Sequence, residues 1–218
     1  GITAAVRDHA LTESDFAPTD LAVELLWLVE ANAAVSRELR SLNRRLQGAQ
    51  AVAQEQALTD ALTGLRNRRA LEDALADWCA GVEPFALVHL DLDRFKAVND
   101  TLGHPAGDHV LCEVARVLTQ ETRTGDLIAR MGGDEFVLLL ADMANATLAL
   151  QVAERIVARL ARPIEFEGAR CQVGASAGLV LAPARAFAEA KALQRLADDA
   201  LYAAKRAGRG RVVRRDWP

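Results

Sequence analysis

The chain has 218 residues, 51% hydrophobic and 26% charged, with 14 glycines and 6 prolines. That composition excludes a chain that is mainly disordered, low-complexity or collagen-like. A net charge of −4 and a pI of about 5.6 argue against a bulk electrostatic grip on nucleic acid or anionic lipid.

No apolar run approaches the roughly 18–20 residues that cross a bilayer; the longest strong ones are 25–29 and 136–141. Cys79, Cys112 and Cys171 form neither a CxxC pair nor a Cys/His ligand spacing. Neither a disulfide framework nor a zinc site is therefore expected, and a reducing, cytoplasmic setting is the default. The sequence begins at Gly1 with no signal-peptide pattern and reads as a piece of a longer protein.

Residues 1–18 carry little periodicity and are expected to be an N-terminal segment without defined order. Pro18, Thr19 and Asp20 look like a helix start. A narrow seam follows: Leu21, Leu25, Leu28, Asn32, Val35, Leu39, Leu42, Leu46, Ala49 and Ala53, in alternating steps of four and three. This is a heptad, and over 19–57 it predicts a coiled-coil dimerisation and signalling helix whose simplest partner is a second copy of the chain. Asn32 fits that reading, because a lone polar core residue fixes register and strand number. The alternative is a helix folded back on its own domain, for which a wider stripe is usual.

From residue 58 the pattern changes. Residues 60–69 read as a turn, with Asn67 as the N-cap of a helix to about Ala80. Residues 85–91 predict a central strand, 94–102 a short helix stopped near Gly103, and Pro105 the first turn of another helix. Strands at 126–131 and 135–140 flank Gly132-Gly133 as a hairpin. A helical stripe through Leu148, Val152, Ile156 and Leu160 ends at Pro163, and strands follow at 164–166 and 169–181. A helix at 187–207 and a last strand at 211–214 complete the chain. Interleaved strands and helices with two hairpins predict an α/β sandwich on a largely antiparallel sheet; neither GxGxxG nor Walker A occurs.

Acidic residues mark the candidate chemistry. Asp91 ends an apolar strand, and Asp93, two residues on, points to the same side. Asp134 and Glu135 follow two glycines at a hairpin tip. If the strands are neighbours, Asp91 and Asp134 converge and need a cation between them. Oxygen ligands without a His or Cys pattern favour Mg²⁺ or Mn²⁺. The plainer reading is an ordinary Gly-Gly-Asp turn beside a strand-end aspartate. Lys205 and Arg209 lie one helical turn apart and could clamp phosphate oxygens; equally, they could complement a helix C-terminus.

Arg130-Met-Gly-Gly-Asp-Glu-Phe136 resembles the signature of the GGDEF family of diguanylate cyclases. Four further blocks resemble that family in order: residues 60–69, residues 91–100, Gly103-His104 with Gly107-Asp108, and residues 202–209. Met131, where leucine is usual, is a mild apolar exchange. The resemblance covers roughly residues 58–215 and implies a catalytic domain over 58–218. It implies a fold similar to the nucleotidyl-cyclase and polymerase palm: a central, mostly antiparallel sheet flanked by helices, here preceded by the coiled-coil helix.

The resemblance also implies an activity: condensation of two GTP into cyclic di-GMP with release of two pyrophosphates, in a site formed by two facing domains of a homodimer. Asp91 and Asp134, with the Leu92 carbonyl, would hold two Mg²⁺ or Mn²⁺ ions, and Glu135 would assist. Asn99 and Asp108 would read guanine, a carboxylate accepting from N1–H and the 2-amino group. Lys205, Arg209 and Lys96 would hold phosphates, and Gly133 would leave room for the nucleotide.

Arg123-Thr-Gly-Asp126 matches the family's RxxD inhibitory motif, at which cyclic di-GMP would bind. An upstream sensor is expected beyond this sequence. A different reading is a receptor that binds nucleotide without turnover. Such a receptor would have lost a metal carboxylate or a phosphate clamp, whereas Asp91, Asp134, Glu135, Lys205 and Arg209 are all present.

Overall fold

In the computed structural model, residues 18–182 and 189–217 are described. The N-terminal segment expected up to residue 18, apart from Pro18 itself, and the expected start of the last helix at Phe187 fall outside them. The chain divides into two compact units, Gly1–Gln54 and Glu55–Pro218. Helix α1 (Pro18–Ala57) is continuous. On it the heptad side chains Leu25, Leu28, Val35, Leu39, Leu42 and Leu46 are exposed. Among the described residues no helix is long and apolar enough to cross a membrane.

The second unit is built on a six-stranded sheet. Its strands are β1 (Arg66–Asn67), β2 (Phe85–Asp93), β3 (Leu127–Gly132), β4 (Glu135–Leu140), β7 (Gly174–Ala182) and β8 (Val212–Arg215). They lie in the order β1-β3-β4-β2-β7-β8. The three central pairings are antiparallel; β1–β3 and β7–β8, at the edges, are parallel. A separate two-stranded ribbon joins β5 (Ile164–Phe166) to β6 (Ala169–Cys171).

Alternation along β2 sorts the two layers. Ala86, Val88, Leu90 and Leu92 enter a core built with helices α3 (Phe95–Leu102), α4 (His104–Glu121) and α5 (Ala146–Leu160). Phe85 and Leu87 enter the opposite core, with α2 (Arg68–Ala80) and α6 (Ala190–Arg206). The period of two carries His89, Asp91 and Asp93 onto the α6 side.

The elements follow the sequence reading closely, and the differences have local causes. Asn67 caps α2 by accepting the Ala70 N–H at 3.1 Å. Strand β2 runs two residues past Asp91, because Leu92 and Asp93 stay paired with Ala175 and Gly174 of β7. The single strand expected over 169–181 is two: it breaks at Gln172 and Val173, where the Gln172 amide donates to the Ala161 carbonyl at 2.8 Å. Within the expected turn at 60–69, Arg66 and Asn67 pair with β3.

Candidate active site

Three rungs connect β2 to α6 and the turn behind it. His89 Nδ1 lies 2.5 Å from Asp198 Oδ1, Lys205 Nζ 2.7 Å from Asp91 Oδ2, and Arg209 Nε 3.7 Å from Asp93 Oδ1. The helix comes this close because Gly178 of β7 has no side chain: a Cβ there would sit 2.1 Å from the Ala197 carbonyl oxygen and 2.5 Å from the Leu201 nitrogen. Residues two apart on β2 therefore meet Asp198 and, seven residues on, Lys205 of the helix, and then Arg209, which lies in the turn after the helix ends at Arg206 and not on a further helical turn as expected.

The signature turn closes on the second rung. Glu135 pairs in register with Asp91, and the Leu92 N–H donates to the Asp134 carbonyl at 3.2 Å. Burial pushes the Asp134 carboxyl above the usual aspartate range, the Asp91 charge adds to that, and Lys205 only partly offsets it. The signature turn thus brings Asp134 within reach of the Asp91 charge. Asp91 is only 9% exposed.

Among the described residues no group of three or more His, Cys, Asp and Glu side chains forms a ready-made metal cage. The donor set nevertheless fits a divalent cation. The Asp91 charge bears on the Asp134 carboxyl, and the Lys205 ammonium on Asp91 marks a place where positive charge is favoured.

Gly132 and Gly133 both have positive φ, 135° and 56°, and open space where a Cβ would be. This is the bare backbone that close approach by a ligand requires. Arg130 holds the turn from behind, donating from Nε and Nη2 to the Gly133 carbonyl at 3.0 and 2.8 Å. Its Nη1 reaches both oxygens of Asp60 at 3.2 and 3.3 Å. Burial alone would raise the Asp60 carboxyl, but hydrogen bonds from Thr63 and Arg130 outweigh it and hold the carboxyl below its ordinary value.

Asn99 on α3 is placed by Gly107, where a Cβ would lie 1.9 Å from Asn99 Oδ1. Asp108, the next residue, is exposed on α4, and Lys96 is exposed on α3. Neither makes a side-chain hydrogen bond or ion pair among the described contacts.

The RxxD residues are not part of this cluster. They precede β3 and are tied to Ala141, beyond the far end of β4 from Asp134. Asp126 is 4% exposed on its side chain and shapes the turn, accepting the N–H groups of Arg123 at 2.9 Å and Ala141 at 3.0 Å. Arg123 is the exposed member and donates to the Ala141 carbonyl.

Asp93, Ser176 and Gly210 belong to the site but have no assigned place in the sequence reading. Ser176 Oγ donates to the Asp93 oxygens at 3.0 and 2.9 Å, and the Gly210 N–H donates to Oδ2 at 3.1 Å. The one advance signal was that Asp93 falls on the same side of the strand as Asp91.

Comparison with known proteins adds three findings. Residues 57–211 match the family described as diguanylate cyclase, GGDEF domain. The chain is similar to the diguanylate cyclase TpbB of Pseudomonas aeruginosa, 42% identical over 192 residues, which is 86% of this chain and 44% of that protein. It is also similar to the diguanylate cyclase DgcP of the same species, 35% identical over 217 residues, 97% of this chain and 31% of DgcP. The chain thus spans less than half the length of these relatives. Among solved structures, it resembles the coiled coil and GGDEF domain of DgcB from Caulobacter crescentus in complex with c-di-GMP, at 31% identity and a TM-score of 0.77. That match covers 86% of this chain and 99% of the other.

Proposed function

The chain belongs to the GGDEF family of diguanylate cyclases, and from that premise we propose that it condenses two GTP molecules into cyclic di-GMP, releasing two pyrophosphates. The observation that carries this reading is the joint environment of Asp91 and Asp134, with Lys205 on the first and charge pressure on the second.

Asp91 and Asp134, with the Leu92 carbonyl, would hold Mg²⁺ or Mn²⁺, two ions per site. Divalent ions bound there would make the 3′-hydroxyl more acidic and offset charge on the α-phosphate and leaving pyrophosphate. Glu135, opposite Asp91, sits where it can accept the hydroxyl proton. Lys205 leaves Asp91 for the triphosphate and clamps it together with Arg209; Lys96, exposed on α3, reaches the same phosphates from solvent. Gly133 leaves the backbone open beneath them. Asn99 and Asp108 read the guanine edge; a carboxylate left unpaired by adenine penalises ATP.

Each protomer holds one GTP, so the reaction requires two half-sites face to face. The exposed heptad of α1, with Asn32 in its seam, supports a parallel homodimer over 19–57 that raises the effective concentration of the catalytic domains and passes on a signal from an upstream sensor. Arg123 and Asp126 form a feedback site for cyclic di-GMP, Asp126 holding the turn and Arg123 meeting phosphate or guanine. The setting is cytoplasmic, where GTP is available.

The direct experiment incubates the protein with GTP and Mg²⁺ and measures cyclic di-GMP. Product should form, and Asp134→Ala should abolish it with an unchanged circular dichroism spectrum. A variant as active as the parent would remove Asp134 from the reaction.

A further inference from the structure

Asp93 has no part in the chemistry above, yet it is the most heavily bonded carboxylate beside it. Its side chain is 6% exposed, and its oxygens accept from Ser176 Oγ and the Gly210 N–H. Ser176 is fully buried and the Gly210 amide follows α6, so one carboxylate joins the start of β7, the end of β2 and the turn that carries Arg209.

That turn needs holding. Gly208, Arg209 and Gly210 have φ of 109°, 65° and 61°, three consecutive residues in left-handed backbone. Only the glycines adopt it readily, and Arg209 does so against its own Cβ. The Asp93–Gly210 hydrogen bond fixes the turn at its last residue. The Asp93 charge, 3.7 Å from Arg209 Nε, holds the guanidinium while leaving 60% of that side chain exposed.

We propose that Asp93 is a positioning residue for triphosphate recognition: through Gly210 and Arg209 it presents the Arg209 guanidinium, preformed beside Lys205, to the β- and γ-phosphates, with Ser176 orienting the carboxylate. This rests on the reading of Lys205 and Arg209 as the phosphate clamp. Without Asp93 the turn relaxes out of its left-handed conformation and Arg209 must be ordered at the moment of binding, which lowers affinity for the phosphates and not for the base.

The test is calorimetric titration, in Mg²⁺, of the full chain with the unreactive guanosine 5′-[α,β-methylene]triphosphate and, separately, with GMP, which lacks both distal phosphates. Asp93→Asn should weaken the triphosphate analogue by about tenfold to a hundredfold, the range for loss of a charged hydrogen-bond partner, and leave GMP within twofold. Ser176→Ala, which keeps the carboxylate, should move the analogue the same way by less. In the double variant Asp93→Asn, Arg209→Ala, the loss should be no greater than for Arg209→Ala alone, because Asp93 acts through Arg209.

Equal weakening of both ligands, or additive losses in the double variant, would overturn the positioning role and leave the cyclase reading standing. So would an unchanged affinity for the analogue in Asp93→Asn. A parent protein that binds neither the analogue nor GTP would overturn the clamp itself, and the positioning role with it.

Discussion

Gly107 is glycine because Asn99 occupies the space its side chain would take. Gly107→Ala should displace the Asn99 side chain and, on the proposed reading of Asn99 as a guanine contact, cut the preference for GTP over ATP by about tenfold, the scale of one lost buried hydrogen bond, measured as the ratio of kcat/KM values. An unchanged ratio would remove Asn99 from base recognition. Asp60 behaves differently. Its carboxyl is held below the ordinary value of 3.8, so the ionised form contributes stability that is full above that value and is lost as pH falls through the folded value. Asp60→Asn should therefore cost about 1–2 kcal/mol at pH 7, and the deficit should shrink towards pH 3 in urea titrations. Asp91 and Asp134 were legible because a strand end and a glycine hairpin are local patterns. The partners of Asp93 were not: Ser176 lies 83 residues away and Gly210 117, and no local spacing announces a carboxylate that far from its donors.

Among elements, the contact of α6 with β7 sets the whole ladder. Gly178→Ala would drive a methyl group into the backbone of Ala197 and Leu201, which cannot yield as a flexible side chain can. The expected cost is about 1–3 kcal/mol in denaturant unfolding. GTP affinity should fall with it, since His89, Asp91 and Asp93 all face that helix. A variant with parental stability and affinity would show that the helix moves freely. Periodicity gave the helices and central strands, because each buries one stripe or face over many residues. It missed the break at Gln172 and Val173, since β6 and β7 belong to different sheets while no proline or turn cluster separates them in the sequence. It also read Arg66 and Asn67 only as part of a turn, because two residues are too few to show a period.

At the scale of the molecule, the RxxD turn and the signature turn sit at opposite ends of β4, a strand of six residues and about 20 Å of backbone. Any influence of the first on the second therefore operates at a distance. Arg123→Ala should raise the concentration of cyclic di-GMP needed for half-inhibition by about tenfold or more, with initial rates in product-free enzyme unchanged; inhibition at the parental concentration would place feedback elsewhere. The parallel edge strand β8 has a related bearing on robustness. It pairs with β7 from Ala177 to Val180, and the Arg211 carbonyl just before it accepts the Ala177 N–H at 2.9 Å. The segment bearing Arg209 is thus slung between α6 and a ribbon paired with one strand only, the kind of edge that frays first. Warming short of global melting would peel that ribbon away, and the proposed phosphate clamp with it, while the inner four strands still hold.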